Sequence, residues 1–324
     1  MALMERTVEL ALDCHCDLGE GPIFDDRLSI LYFVDINRNT IHAYNTETNA
    51  HETLELSEPV GAVALTTDKD LLLAATRRHI LLVRFWKGAE QERGVIRTIA
   101  EVPESHGIDN MRFNDAKATP QGAFLAGRMH GNWRQPSNRG SLYKLAPGSP
   151  SDLEIVLTPE DVGLPNGIAW SQDGKTCYFV DSAEETITAY ATDTNGIPLT
   201  RSHGATDANS TSIPAPPREI SRKTTGHKHV PDGMTIDCNG KLWVVLGESG
   251  SVVQIDPATG DELQKITLPV KRPTSCGFGG PELEWLYVTT RVESGEGASE
   301  HHGGLFRVRI DGVKGAAFEG KYRL

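Results

Sequence analysis

The chain has 324 residues, with 44 acidic against 32 basic side chains and a formal net charge of -12. That balance speaks against nucleic acid or an anionic membrane surface as partner. No run of about 18 apolar residues is present to cross a bilayer, and Glu5, Arg6, Glu9 and Asp13 interrupt the first residues before a signal-peptide apolar stretch forms, so the expected location is cytoplasmic.

In chain order, the apolar runs are short, rich in Val, Ile, Leu and Tyr, and bounded by Gly, Asp, Asn and Pro, which predicts strands rather than helices. Segment 6–14, containing TVELALD, alternates as a strand without a hairpin partner nearby. It is expected to complete the last unit of the fold and so cover an open sheet edge. Six hairpins follow, pairing 31–35 with 41–45, 71–76 with 80–85, 123–129 with 141–145, 176–182 with 186–191, 241–246 with 251–256, and 285–290 with 304–310. Each is preceded by one further strand carrying a turn signal, a repeat of about 40 to 50 residues. These units predict an all-β chain: a six-bladed β-propeller with four-stranded blades around a central channel, residues 1–324 forming one domain. Residues 195–229, with NSTSIPAPP at their middle, are expected to be an irregular, mobile loop insertion near the channel mouth. The five cysteines, Cys14, Cys16, Cys177, Cys238 and Cys276, are an odd and scattered set, expected reduced and mostly packed in strands.

The register within the repeat singles out candidate site residues. Asn114, Asn166 and Asp232 each stand eight residues before a glycine that ends a turn, at Gly122, Gly174 and Gly240. Glu20, in GEGPIFDD, stands at the matching distance before LYFVD, while Gly61 and the Thr274–Ser275 pair take that place in the other two units. In a propeller, equivalent residues at the entrances of the innermost strands face each other around the axis. Glu20, Asn166 and Asp232 then supply two carboxylates and an amide carbonyl, hard donors suited to Ca²⁺, Mg²⁺ or Mn²⁺, with carboxylate also acceptable to Zn²⁺. An ion held there polarises an ester carbonyl and acidifies water, which points to hydrolysis. Taken singly, Asn166 and Asp232 also read as turn residues before glycine; the shared register favours a site.

Arg112 lies two residues before Asn114 in MRFND, on the same side of an extended strand, and offers planar donors to a polar substrate, with an inter-blade ion pair as the plainer role. His227, His229, His301 and His302 are read as solvated loop residues rather than zinc ligands, and Cys14-His15-Cys16 as packing against the last blade.

With these residues in view, the chain resembles the SMP-30/gluconolactonase/luciferin-regenerating-enzyme family. The resemblance is carried by LGEGP at 18–22, LYFVDI at 31–36, RFNDAKATPQG at 112–122, AGRM at 126–129, PNGIAWS at 165–171, YFVDS at 178–182, PDGMTID at 231–237, GKLWV at 240–244, TSCGFGG at 274–280 and GVKG at 312–315. It implies a six-bladed propeller holding one divalent cation, Ca²⁺ or Zn²⁺ foremost and Mn²⁺ or Mg²⁺ in reserve, through Glu20, Asn166 and Asp232. It further implies that Asp232 is the catalytic acid/base for opening a small lactone and that Arg112 and Asn114 hold substrate hydroxyls. The family's sugar-binding glutamate aligns with Asn132, which still offers a hydrogen bond but no charge, so the identity of the sugar does not carry over. The leading reading is a metal-dependent lactonase acting on a small-molecule substrate, with no obligate protein partner evident. Hydrolysis of another small electrophile, a calcium-binding regulatory protein and a protein-interaction platform are the alternatives.

Overall fold

The computed structural model describes residues 7–87, 91–107, 109–148, 153–200, 217–222, 230–294, 298–317 and 320–324. Their strands form six separate four-stranded antiparallel sheets, the blades of a six-bladed β-propeller. Blade one is β2 (Gly19–Asp25), β3 (Ile30–Asp35), β4 (Thr40–Asn45) and β5 (His51–Glu55). Blade two is β6 (Ala62–Leu65), β7 (Leu71–Ala75), β8 (His79–Arg84) and β9 (Gly94–Glu101). Blade three is β10 (Met111–Ala118), β11 (Phe124–His130), β12 (Ser141–Leu145) and β13 (Leu153–Leu157). Blade four is β14 (Pro165–Trp170), β15 (Thr176–Asp181), β16 (Thr186–Ala191) and β17 (Arg218–Arg222). Blade five is β18 (Pro231–Ile236), β19 (Leu242–Leu246), β20 (Ser251–Ile255) and β21 (Glu262–Thr267). Blade six is β22 (Pro273–Gly279), β23 (Trp285–Thr290), β24 (Leu305–Arg309) and, from the start of the chain, β1 (Val8–Leu12). All six expected hairpins form, and β1 closes the ring antiparallel to β24, with Val8 opposite Val308 and Leu10 opposite Phe306.

The apolar runs are continuous rather than alternating because every blade is buried on both faces. In β3, Tyr32 and Val34 face blade two while Leu31 and Phe33 face blade six. In β19, Leu242, Val244 and Leu246 face blade four while Trp243 and Val245 face blade six. The core is thus divided into six hydrophobic layers, one at each blade interface. Innermost strands β2, β6, β10, β14, β18 and β22 contact one another in a closed circle around the axis. The chain's last residues cross the far end of that channel, where Tyr322 bridges Thr66, its hydroxyl donates to Ala146 O at 3.0 Å, and Gly315 pairs with Asp237.

Two expectations need correction. The stretch 195–229 is not one irregular insertion: Arg218–Arg222 form the outer strand of blade four, paired with β16. Residues 192–200 leave β16 at the end opposite the channel mouth, since antiparallel strands alternate direction and β16 runs away from that mouth. Their contacts confirm this placement, with Gly196 O accepting from Trp170 Nε1 at 2.8 Å and Asn195 O from Thr119 Oγ1 at 2.6 Å, both at the far ends of their inner strands. Residues 201–216 and 223–229 lie outside the described residues. All five cysteines are free thiols; Cys177 and Cys276 are buried in strands, Cys238 is exposed, and Cys14 and Cys16 sit in the loop after β1. There Cys16 N–H donates to Gly303 O and the two thiols stand 3.6 Å apart, packed against blade six as expected.

Buried aspartates fasten the entrances of the inner strands. Asp181, ending β15, accepts from the amides of Gly163, Leu164 and Ala183 at 2.7, 2.9 and 3.0 Å, and Asp35, ending β3, accepts from Asp17 and Leu18 at 2.8 and 3.1 Å. Replacing Asp181 by Ala strands buried N–H donors and is expected to cost about 3 kcal/mol, to be read as a shift of the urea midpoint at unchanged slope.

Candidate functional site

Five of the six innermost strands carry a break in register close to their entrances, between Glu20 and Ile23, Phe113 and Ala116, Pro165 and Ile168, Pro231 and Met234, and Pro273 and Ser275. Such a bulge bends the strand and re-aims the side chains within it. Glu20, Asn114, Asn166, Asp232 and Thr274 all lie in or beside these bulges and line one cavity of about 150 Å³ at the channel mouth. A cavity of roughly this size has room for one six-membered ring.

Asn166 and Asp232 are strand residues, not the turn residues that their N-G and D-G pairs also suggested. The glycines serve close approach. A Cβ on Gly167 would stand 2.7 Å from Met234 N, and one on Gly233 would stand 2.5 Å from Ser275 Cα. Gly167 and Gly233 thus let each inner strand press against the next one.

A chain of hydrogen bonds runs across three blades. Arg112 Nη1 donates to Phe113 O and Asn114 Oδ1, both at 2.8 Å. Asn114 Nδ2 donates to Asn166 Oδ1 at 2.8 Å and to Pro165 O at 3.0 Å. Asn166 Nδ2 donates to Ser182 Oγ at 2.7 Å, and Ser182 in turn donates to Pro231 O at 2.5 Å. This order fixes the Asn166 amide, its Oδ1 accepting from Asn114 with a second lone pair still open.

The carboxylates sit in the opposite condition, buried and poorly compensated. Burial, then the charges of Asp232 and Asp115, push Glu20 well above the usual carboxylate range, against the Gly21 N–H and Arg112. Burial and Asp115 push Asp232 up to about 8, while Arg291 and Arg112 pull the other way. Asp115, lower in the channel, is itself pushed up to about 6 by burial. Arg112 is brought down to about 10 by the same desolvation, against the charges of Glu20 and Asp232. Two facing carboxylates and an oriented amide oxygen fit a divalent cation with oxygen preference, since the ion removes the repulsion that burial amplifies. No group of three or more His, Cys, Asp or Glu suited to a metal occurs among the described residues.

Among the other sequence candidates, Asn132 is exposed and does not line the cavity; its N–H donates to His130 Nδ1 and its carbonyl accepts from Asn138 Nδ2. Trp133 and Arg134 reach the cavity from the same loop, with the Arg134 guanidinium 4.5 Å from the Trp133 ring. His301 Nδ1 lies 3.2 Å from Asp13 Oδ2, outside the cavity, and His227 and His229 lie outside the described residues. Sequence reasoning missed Asp115, Ser182 and Arg291. Asp115 directly follows Asn114, and only the bulge allows neighbours in sequence both to serve the channel.

A family profile for the SMP-30/Gluconolactonase/LRE-like region matches residues 18–292. Regucalcin of Xenopus laevis is 33% identical over 307 residues, covering 93% of each chain. Pentonolactonase XacC of Haloferax volcanii is 31% identical over 328 residues, covering 98% of this chain and 99% of its own. The crystal structure of a calcium-binding protein, regucalcin, from Agrobacterium tumefaciens superposes with a TM-score of 0.81 at 25% identity, covering 98% of this chain and 97% of that one.

The two raised carboxylates set a pH dependence for the cation-free protein. Both folded values lie above the unfolded ones, so stability is full below about pH 4 and is lost as pH climbs toward the folded value of about 8 for Asp232. In chelator, thermal melts are expected to fall from pH 5 to pH 8 more steeply than in Asp232→Asn. Added Ca²⁺ or Zn²⁺ should raise the melting temperature more at pH 8 than at pH 5.

Proposed function

The chain belongs to the SMP-30/gluconolactonase/LRE-like family, and on that premise we propose that it is a divalent-metal-dependent hydrolase that opens a small sugar lactone, with Asp232 as acid/base. The observation that carries this reading is the convergence of Glu20, Asn166, Asp232, Arg112 and Asn114 on one cavity at the channel mouth. The pentonolactonase relative, matched over nearly its whole length, supports the substrate class.

Glu20, Asn166 and Asp232 would hold the ion, Ca²⁺ or Zn²⁺ before Mn²⁺ or Mg²⁺, which when bound supplies Lewis acidity to the lactone carbonyl, acidifies water and lowers the Asp232 pKa. Asp232 takes the proton of the water that attacks the carbonyl carbon. It returns that proton to the ring oxygen as the acyl C–O bond breaks, leaving the open hydroxy acid. Arg112, tethered by Phe113 O and Asn114, directs its remaining N–H groups to the substrate's oxygens. Both Asn114 N–H groups are already spent on Asn166 and Pro165, so Asn114 receives a substrate hydroxyl on the open lone pair of Oδ1.

A calcium-binding regulatory role is the second reading, favoured by the calcium-binding solved relative. A set of two carboxylates and one amide is lean beside sites supplying six or more oxygens, which weighs toward turnover.

The test uses metal-stripped protein, a panel of pentono- and hexonolactones, and Ca²⁺, Zn²⁺, Mn²⁺ or Mg²⁺ restored singly, with proton release as the readout. Turnover is expected to require metal and to fall on the order of 10³-fold in Asp232→Asn, with the fold retained by circular dichroism. Calorimetric ion binding without turnover on any lactone would reject the hydrolase in favour of the regulatory reading.

A further inference from the structure

The cavity is lined by more cationic than anionic side chains. Arg112, Arg134, Arg272 and Arg291 face Glu20, Asp232 and Glu248. Arg272 and Glu248 approach to 3.8 Å and account for one another at the rim, and Arg134 lies on the Trp133 ring. Glu20 and Asp232 are the charges a divalent ion balances. Arg112 and Arg291 then face one remaining negative charge, Asp115 lower in the channel, so the mouth keeps an excess of positive charge.

Arg291 is the more telling of the two. It follows β23 directly; its N–H donates to Arg272 O at 3.0 Å and its backbone bridges Leu18, so the chain there is fixed. Its guanidinium stands near enough to act electrostatically on both Asp232 and Arg112. It lines the cavity, half-buried, and among the described residues no carboxylate forms an ion pair with it, while its Nε is turned into the wall. Buried polar groups in folded proteins are nearly always satisfied, and a guanidinium fork matches carboxylate and phosphate geometry. A neutral lactone offers it only hydroxyls. An acidic one supplies the missing charge.

We infer that the pocket selects sugar lactones bearing a second, anionic group away from the ring ester, a carboxylate or a phosphate, and that Arg291 binds that group. This rests on the lactone-hydrolase reading and deepens it. Asp232 and the oxygen ligands then act on the ester, while Arg291 fixes the far end of the substrate and so the register of the ring over Asp232.

The test compares kcat/KM for D-glucono-1,5-lactone, D-glucaro-1,4-lactone and 6-phospho-D-glucono-1,5-lactone in the metal-loaded wild type, Arg291→Gln and Arg291→Lys. The expected result is a preference on the order of tenfold or more for an anionic lactone, falling with added salt, reduced toward unity in Arg291→Gln and partly kept in Arg291→Lys. The two anionic substrates separate carboxylate from phosphate. A neutral lactone turned over as well as both acidic ones, or a preference unchanged in Arg291→Gln, overturns the inference while leaving the hydrolase standing. Calorimetric titration with D-gluconate and D-glucarate reads the same contrast without turnover. Tighter glucarate binding that Arg291→Gln abolishes upholds the anion site even if no lactone is hydrolysed, in which case only the hydrolase reading fails; equal binding of the two overturns the site.

Discussion

The constraint on which the rest of the molecule depends is the close approach of neighbouring innermost strands around the axis. Six strands meet in a closed circle, and at Gly167 and Gly233 the backbone of the next strand occupies the space a side chain would take. The bulges at the strand entrances turn polar residues up into the mouth. A site made of one residue from each of several blades follows from this geometry, because each blade brings the same strand position to the same point.

Placing charge there is costly unless the surroundings are rigid. The six hydrophobic layers supply that rigidity, since every blade is clamped on both faces and β1 closes the ring. On this frame the chain from Arg112 through Asn114, Asn166 and Ser182 to Pro231 O couples three blades by side-chain hydrogen bonds. Burying Glu20 and Asp232 beside it raises their proton affinity. The same desolvation acts on the Arg112 guanidinium, which is tethered by Phe113 O and Asn114 Oδ1.

Much of this was legible in the residues themselves. Short apolar runs punctuated by Gly, Asp and Asn located all six hairpins, and segment 6–14 announced the closing strand because an alternating strand with no neighbour must pair with a distant one. The register of Glu20, Asn114, Asn166 and Asp232 within the repeat was also visible, since a radial repeat converts equal sequence positions into neighbouring points in space. The sequence therefore determined the fold class, the six hairpins and the placing of Glu20, Arg112, Asn114, Asn166 and Asp232 at the mouth. Tertiary structure alone decided how they are used. The glycines after Asn166 and Asp232 read as turn residues until the adjacent strand was seen filling their missing side-chain space. Asn132 and Trp133 are neighbours in sequence, yet only Trp133 reaches the cavity, because a loop's path is set by what it packs against rather than by its composition. Likewise β17 was hidden in a stretch rich in Ser and Pro. The balance of charge around Arg291 emerges only when blades three, five and six are brought together, since electrostatic environment is a property of distances through space and not of order along the chain.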